Sequence, residues 1–245
     1  MTNRDRILFT GGSGLLGTEL KPLFPESMFP TSAEFDVTDR DQITAYAEAH
    51  PFELLVHAAA FTSPPKIDAD PTRAIDANII GTANIVKLCL AVGARLIYLS
   101  TDYVFRGDEG NYSEEDALHP VNRYAWSKLG GECAVRMLED SLIVRTTFGP
   151  NEFPYPKAFV DQWTSRESVS AIARKVAALI GLSEAKGVVH VGGERRSVFA
   201  FAKSLDESKE IGELSIHDVG FSVPADTSLS CERYERLIDR GERDS

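Results

Sequence analysis

The sequence predicts an α/β fold in which a parallel β-sheet is covered by helices on both faces. Short apolar runs alternate with segments of helical periodicity four times within the first 150 residues. A glycine-rich turn separates the first apolar run from the first helix, as is typical of doubly wound parallel sheets. The 245 residues are enough for one large α/β domain or for a domain with a smaller appendage.

The first strand is expected at Ile7-Leu8-Phe9, and the turn that follows reads Thr10-Gly11-Gly12-Ser13-Gly14-Leu15-Leu16-Gly17. Its glycine spacing satisfies both G-x-x-G-x-x-G and G-x-G-x-x-G. Glycines let the backbone approach a pyrophosphate, and a helix N-terminus offers free N–H groups to it. The motif alone is weak because glycine clusters also form ordinary loops. Between a strand and a helix, it predicts a Rossmann-like fold that binds a dinucleotide.

The remaining elements follow from periodicity, caps and turn residues. A weak second strand is expected at Met28-Phe29, Thr38 or Asp39 is expected to cap a helix, and Pro64-Pro65 indicates a loop. We expect further strands over 52–57, 95–100, 141–145 and 187–191, and helices over 41–50, 71–92, 122–139, 168–182, 198–205 and 231–239.

Two parts are predicted from this pattern. Residues 1–150 are expected to form a Rossmann domain that binds a dinucleotide, and residues 151–245 a small C-terminal part. Within the second part, residues 168–192 are expected to return to the Rossmann domain.

Composition excludes several classes of protein. The chain has 26 Lys and Arg against 37 Asp and Glu, a formal charge of −11, which argues against general binding to nucleic acid or to an anionic membrane. No apolar run approaches the ~20 residues of a membrane span. The three cysteines show neither a disulfide framework nor a metal-binding pair. We therefore expect a cytoplasmic protein without a signal peptide and without a metal site.

Ligands of parallel α/β sheets bind at the carboxyl ends of the strands. Four stretches directly follow strands or strand-like runs and are the expected binding residues. They are Gly11 to Gly17, Asp36-Val37, His57 to Thr62, and Ser100-Thr101-Asp102. His57 itself ends a buried strand and is expected to be structural.

Tyr124 and Lys128 are four residues apart on an expected helix, so their side chains share one face. A phenol has a pKa near ~10 and is a poor acid or base at neutral pH. A neighbouring ammonium is expected to lower that pKa, and the Thr101 hydroxyl on the opposite wall could hold a carbonyl oxygen. The spacing alone is common by chance. Combined with the glycine-rich turn, it predicts proton transfer to a carbonyl compound.

These motifs together resemble the extended short-chain dehydrogenase/reductase superfamily, and within it the dTDP-4-dehydrorhamnose reductases. The likeness covers nearly the whole chain in order, and its most specific motif is Ser-Thr-Asp-Tyr-Val-Phe at 100–105. The other motifs that carry it lie at 11–17, 35–39, 58–62, 124–128, 145–149, 190–193 and 226–229.

The resemblance implies that a nicotinamide cofactor binds at the glycine-rich turn. It assigns the pyrophosphate to Gly11, Gly14 and Gly17, with backbone contacts from Ser13, Leu15 and Leu16. It assigns the adenine to Asp36 and Val37, and the path of the cofactor to Ala58, Ala59 and Ala60. Family members carry either an arginine or an acid after the second strand, whereas this chain has Thr31-Ser32-Ala33. Because an acid would repel the 2′-phosphate, its absence favours NADP(H) over NAD(H).

The resemblance also implies reduction of a 4-keto-6-deoxy sugar nucleotide at C4. Tyr124 would donate a proton to O4, Lys128 would bind the nicotinamide ribose and tune Tyr124, and Thr101 would steady the carbonyl. The substrate side would comprise Thr62, Thr101, Asp102, Tyr103 and Trp163.

The resemblance makes residues 1–150 the NAD(P)-binding Rossmann domain and residues 151–245 a small substrate-binding part. That part is shortened, because the segment between the Arg145 strand and the Ser168 helix is shorter than is usual in these reductases. A differently shaped substrate, looser binding, or a site completed by a partner chain in a homodimer would each fit this shortening. Two other functions remain open. One is a sugar-nucleotide epimerase or another carbonyl reductase of the superfamily. The other is a non-catalytic NADP-binding regulatory subunit that resembles the methionine adenosyltransferase regulatory subunit. Arg145 could bind a phosphate or pair with a carboxylate.

Overall fold

A five-stranded parallel sheet forms the centre of the protein. The structure, a computed structural model, describes residues 6–220 and 223–243. Neighbouring strands follow chain order in the sheet, and every pair is parallel. The strands are β1 (Ile7–Thr10), β2 (Leu54–His57), β3 (Arg95–Thr101), β4 (Ser141–Thr146) and β5 (Gly187–Val191). The predicted parallel α/β fold is confirmed.

Helices cover both faces of this sheet. They are α1 (Leu15–Leu20), α2 (Arg40–Ala49), α3 (Pro64–Ala69), α4 (Thr72–Val92), α5 (Arg123–Val135), α6 (Val169–Ile180), α7 (Val198–Leu205) and α8 (Glu232–Arg243). One apolar cluster joins α1 and α6 to one face of the sheet, and a second joins α2, α4 and α5 to the other. Burial of these two faces is the main force that fixes the layers.

The second predicted strand is reduced to a single bridge. Met28 pairs with Leu8 in parallel, with hydrogen bonds of 2.8 and 2.9 Å between its backbone and that of Phe9 and Ile7. Pro25 and Pro30 flank this bridge and prevent a longer ladder, because proline lacks the N–H donor. The bridge lies beside β1 on the side opposite β2. The chain therefore crosses over β1, which leaves a crevice at the carboxyl end of that strand.

Helix boundaries follow side-chain caps. The Asp39 carboxylate accepts from the backbone N–H groups of Asp41 and Gln42, and the Asn122 side chain accepts from Ala125 N at 2.8 Å. The expected loop at Pro64-Pro65 is wrong, because α3 begins there. Proline fits the first turn of a helix, where its missing N–H would have no intrahelical acceptor.

Helix α4 contains a π-helical segment, Ile75–Gly81, and ends at Gly93, whose φ is +69°. By length and hydropathy alone, Thr72–Val92 could cross a membrane, which differs from the expectation from the sequence. In this fold, however, its inner face is buried against the sheet and α5, with Ile85 and Cys89 fully covered. Core helices of globular domains have the same composition.

The C-terminal part adds two small ribbons beside the sheet. Lys157–Phe159 pairs with Gly212–Leu214, and Trp163–Thr164 pairs with Arg196–Ser197. A separate apolar cluster around Phe201 and Val198 of α7 supports them. In contrast, α6 and β5 pack with the main sheet, where β5 is the edge strand next to β4.

A buried ion pair joins α5 to the centre of the sheet. The Arg145 guanidinium on β4 donates to the two Glu132 carboxylate oxygens, from Nε at 3.1 Å and from Nη2 at 2.9 Å, and both side chains are fully buried. Ser100 Oγ donates to the same carboxylate at 2.5 Å. Arg145 therefore pairs with a carboxylate, which decides between the two roles that its sequence leaves open.

Breaking this pair should destabilise the fold strongly. In Glu132→Gln, the charge of Arg145 remains buried without its partner, so we expect the free energy of unfolding to fall by about 3–5 kcal/mol in urea titrations. The matched control is Glu53→Gln, which removes an exposed pair with Arg6 at 2.6 Å. That change should cost about 0–1 kcal/mol. Equal losses in the two variants would contradict the role given to burial.

Candidate active site

The glycine-rich turn between β1 and α1 is a backbone cradle without room for side chains. Gly11 has φ +74°, and a Cβ atom there would lie 2.7 Å from the carbonyl carbon of Ala58. A Cβ atom on Gly17 would overlap the Gly11 carbonyl oxygen. Only glycine tolerates these positions. The turn therefore brings bare backbone to the start of α1, at the crevice beside β1.

A cleft of about 550 Å³ extends from this cradle over the carboxyl ends of β1 and β2. Twelve of its lining residues come from three stretches of chain, residues 10–14, 35–38 and 58–60. These stretches follow β1, precede α2 and follow β2, respectively. Asp36 is fixed within it, because its carboxylate accepts from the backbone N–H and the hydroxyl of Thr38 at 2.9 and 2.8 Å. The elongated, backbone-lined shape fits the diphosphate and adenosine of a dinucleotide.

A second cavity, of about 400 Å³, continues from the same glycines toward β3 and α5. Thr101, Tyr124 and Lys128 all line it, together with Asp102 and Tyr103. Thr101 is the last residue of β3, while Tyr124 and Lys128 project from one face of α5. The two walls meet, since the hydroxyls of Thr101 and Tyr124 are within hydrogen-bonding range.

The Asp102 carboxyl group lies behind this pair and is buried. It accepts hydrogen bonds from Thr101 Oγ1 at 3.1 Å and from Thr227 Oγ1 at 2.7 Å, and Thr147 is a third hydroxyl partner. Burial nevertheless raises the pKa of this carboxyl above its usual value. Thr227 comes from the end of the chain, so the C-terminal part fixes the orientation of the reaction wall.

Tyr124 has a higher pKa than a free phenol, not the lower one expected from its spacing to Lys128. Burial is the largest cause, and the nearby carboxylate of Asp102 adds to it, while the hydrogen bond with Thr101 opposes it. A phenol that is buried beside a carboxylate resists ionisation, because its negative charge would lose hydration and would be repelled by the carboxylate. Tyr124 therefore keeps its proton at neutral pH and can donate it.

Lys128 is buried, and this burial lowers the pKa of its ammonium group to about 7, although Glu132 one turn further along α5 opposes the shift. Its Nζ lies 4.2 Å from the centre of the Tyr98 ring, a cation–π contact that partly replaces lost hydration. The lysine is therefore close to its titration point in the physiological range.

Asn78, in the π-helical segment of α4, holds two parts of the site together. Its amide exchanges two hydrogen bonds with the Phe61 backbone, at 2.7 and 2.9 Å, and donates to Ser127 Oγ at 2.8 Å. His57 is structural, as expected, because its ring nitrogens contact the hydroxyls of Thr10 and Thr82 at 2.7 and 3.1 Å.

Nearly all of the residues singled out from the sequence line these two connected spaces. The cleft holds Gly11, Ser13, Gly14, Asp36, Val37 and Ala58 to Ala60, and the cavity holds Leu15, Leu16, Gly17, Thr62, Thr101, Asp102, Tyr103, Tyr124 and Lys128. Trp163 does not line either. It is 36% exposed, and the Arg195 guanidinium stacks on its ring at 4.1 Å.

Several lining residues were not predicted, and three of them carry polar or charged side chains that bear on the chemistry of the site. Thr147 follows β4, so the rule that strand ends carry the site could have found it. Arg73 lies at the cleft and stacks on Phe61, with 4.5 Å from its guanidinium carbon to the ring centre. Arg166 lies in the cavity. Arg73 lies in the helix predicted over 71–92, but helical periodicity does not mark a binding residue, and Arg166 lies in a segment without a periodic or motif signal.

The chain is similar to several known proteins. It is 26% identical to methionine adenosyltransferase 2 subunit beta of Rattus norvegicus over 275 residues, covering 95% of this chain and 82% of that protein. Since this alignment is longer than the whole 245-residue chain, the relative carries residues that have no counterpart here. The chain is 31% identical to dTDP-4-keto-6-deoxy-D-glucose reductase of Streptomyces niveus, covering 76% of this chain and 72% of that protein.

Among solved structures, the fold is similar to that of dTDP-4-dehydrorhamnose reductase from Bacillus anthracis in complex with NADP. The TM-score is 0.83 at 24% identity, covering 98% of this chain and 99% of the other. The family described as the RmlD substrate binding domain matches residues 5–227, nearly the full length of the sequence. The chain therefore belongs to the RmlD substrate binding domain family.

Proposed function

We propose that the protein is an NADP(H)-dependent reductase of a 4-keto-6-deoxy sugar nucleotide. The observation that carries this proposal is the meeting of Thr101, Tyr124 and Lys128 in one cavity that continues into the glycine cradle. The reductase names of relatives in the same family support it, and so does the NADP complex of the Bacillus anthracis protein.

In this proposal, the chain holds the dinucleotide at Gly11, Gly14 and Gly17 and along Ala58 to Ala60. When bound, NADPH supplies the hydride. Asp36 and Val37 meet the adenine side of the cleft. NADP(H) is favoured because Thr31, Ser32 and Ala33 provide no acid that would repel a 2′-phosphate, and of these Ser32 lines the cleft. The Glu34 carboxylate accepts from the Thr31 backbone and hydroxyl at 2.8 Å and does not line the cleft.

At the reacting carbonyl, Thr101 steadies the oxygen and Tyr124 donates the proton to it. The raised pKa of Tyr124 supports this direction, because a phenol that stays protonated at neutral pH can neutralise a developing alkoxide. The positive charge of Lys128 holds the ribose hydroxyls and stabilises negative charge as the proton leaves Tyr124.

A second candidate is a non-catalytic, NADP-binding regulatory subunit. The likeness to the mammalian beta subunits favours it, because it spans 95% of this chain. The two candidates differ in turnover and not in cofactor binding. The epimerase alternative has support only from similar folds, for example the Campylobacter jejuni UDP-Glc/GlcNAc 4-epimerase at 18% identity.

Tyr124→Phe should reduce turnover at least about 100-fold and leave NADPH binding intact, because it removes only the donated proton. Turnover is measured as NADPH oxidation with dTDP-4-keto-6-deoxy-L-mannose, and binding by NADPH fluorescence. Tyr155→Phe, which changes a phenol on an exposed side chain, is the matched control. If the wild-type protein binds NADPH but turns over no keto-sugar nucleotide, the regulatory candidate replaces the reductase.

The activity should decrease as pH rises through about 7, where Lys128 loses its proton. The ammonium is the working form and its pKa is lowered by burial, so the activity is present below that pKa and lost above it. We expect kcat/KM for the keto sugar to fall about tenfold per pH unit on the alkaline side. Circular dichroism over the same range controls for unfolding. A flat profile up to about pH 9 would exclude this role of Lys128.

Gly11→Ala should weaken NADPH binding, since φ +74° and the contact with Ala58 leave no room for a methyl group. We expect the affinity to fall at least about tenfold in a fluorescence titration. The control is Gly220→Ala, where an added Cβ meets no atom of residues 6–220 and 223–243 within 4 Å. Thermal unfolding of both variants checks that the fold survives. Unchanged NADPH affinity in folded Gly11→Ala protein would show that the cradle does not bind the cofactor.

A further inference from the structure

Arg166 extends into the reaction cavity from the C-terminal part. Its backbone is held on both sides, because its N–H donates to Thr164 Oγ1 at 3.1 Å and its carbonyl oxygen accepts from Arg196 Nη2 at 3.0 Å. Its side chain lines the same cavity as Thr101 and Tyr124. The backbone contacts fix the position from which the Arg166 side chain reaches the cavity, so this side chain can bind a ligand there.

The guanidinium of Arg166 has unused donors. Within residues 6–220 and 223–243 it forms no salt bridge, and its buried Nε has no hydrogen-bond partner. Its side-chain hydrogen bond is with Tyr103. Since a guanidinium has five N–H donors in a planar fork, most of its capacity remains available, and a half-buried unpaired charge is costly.

The Arg166 charge interacts electrostatically with the Asp102 carboxyl group, but the described residues show no salt bridge between the two side chains. The Asp102 oxygens already accept from the hydroxyls of Thr101 and Thr227, at 3.1 and 2.7 Å. The charged residues that line the cavity are Lys128, Arg166 and Asp102, so two cations face one buried carboxyl group. On a chain with a formal charge of −11, this cavity is locally positive and attracts an anion.

We propose that Arg166 binds an oxyanion of the substrate, either a phosphate of its nucleotide or a carboxylate on its sugar. This inference rests on the proposed function, because it places the oxyanion in the cavity where Thr101 and Tyr124 hold the keto group. A guanidinium binds either oxyanion through two parallel hydrogen bonds. Arg166 is thus a specificity-determining residue that selects substrates with a negative charge on the side away from the cofactor.

The test measures binding without turnover. Wild-type protein, Arg166→Gln and Arg166→Lys, each saturated with NADP⁺ to fill the cofactor cleft, are titrated by calorimetry with dTDP and, separately, with glucuronate. Arg174→Gln is the matched control, since it removes an exposed arginine from the neighbouring helix α6. Thermal unfolding confirms that all variants are folded.

We expect Arg166→Gln to weaken binding of one probe about 10- to 100-fold, with partial retention in Arg166→Lys and no change in Arg174→Gln. Loss of dTDP binding assigns the site to the nucleotide phosphate, and loss of glucuronate binding assigns it to a sugar carboxylate. Equal affinity of Arg166→Gln and wild-type protein for both probes overturns the proposal, as does failure of both probes to bind wild-type protein.

The two proposals can fail separately. If no keto sugar is reduced but dTDP binding depends on Arg166, the reductase fails and the oxyanion site remains. If keto sugars are reduced with the same KM in Arg166→Gln as in wild-type protein, the reductase stands and the oxyanion site fails.

Discussion

The geometry of the reaction site depends on the contacts that the Glu132 carboxylate makes with the sheet. Glu132 lies two turns after Tyr124 on the same face of α5, and it accepts hydrogen bonds from Ser100 and Arg145 on two adjacent strands. Ser100 immediately precedes Thr101. One buried carboxylate therefore fixes the helix that carries the phenol relative to the strand that carries the opposite hydroxyl. Sliding the helix by one turn would leave the Arg145 charge buried and unpaired.

The two halves of the site are built by different physical means. The half proposed to hold the cofactor is made of backbone, and neither Gly11 nor Gly17 has room for a Cβ atom. The reaction half is made of side chains from β3, α5 and the C-terminal part, whose hydroxyls converge on Asp102. Backbone N–H groups suit a dinucleotide, because its phosphate oxygens accept hydrogen bonds from them. Side-chain recognition can be changed residue by residue without disturbing the sheet.

Much of the fold could be predicted from the sequence, because apolar runs, caps and the glycine-rich turn are local signals. Asp39 caps the helix that it was expected to cap, and Asn122, expected as the first residue of its helix, is the N-cap one residue before it. Pro64-Pro65 misled because proline is favoured both in loops and in the first turn of a helix. The direction of the Tyr124 pKa shift was wrong, since spacing along a helix gives the neighbouring cation but not the burial or the carboxylate behind it. Arg166 had no signal because it lies in an irregular segment, where only the tertiary structure brings it to the cavity.

The segment between β4 and α6 is where proteins of this family can vary in length most easily. Its two ends are tied to the main sheet, and its short ribbons pack on a small apolar cluster of their own. Lengthening a flexible connection costs only about 0.6 kcal/mol per doubling, so residues can be inserted or lost here with little effect on stability. The hydroxyl, phenol and ammonium groups lie on β3 and α5, outside this connection. The part of this segment beyond Thr147, which contains Arg166, can therefore change in length and composition while Thr101, Tyr124 and Lys128 keep their places.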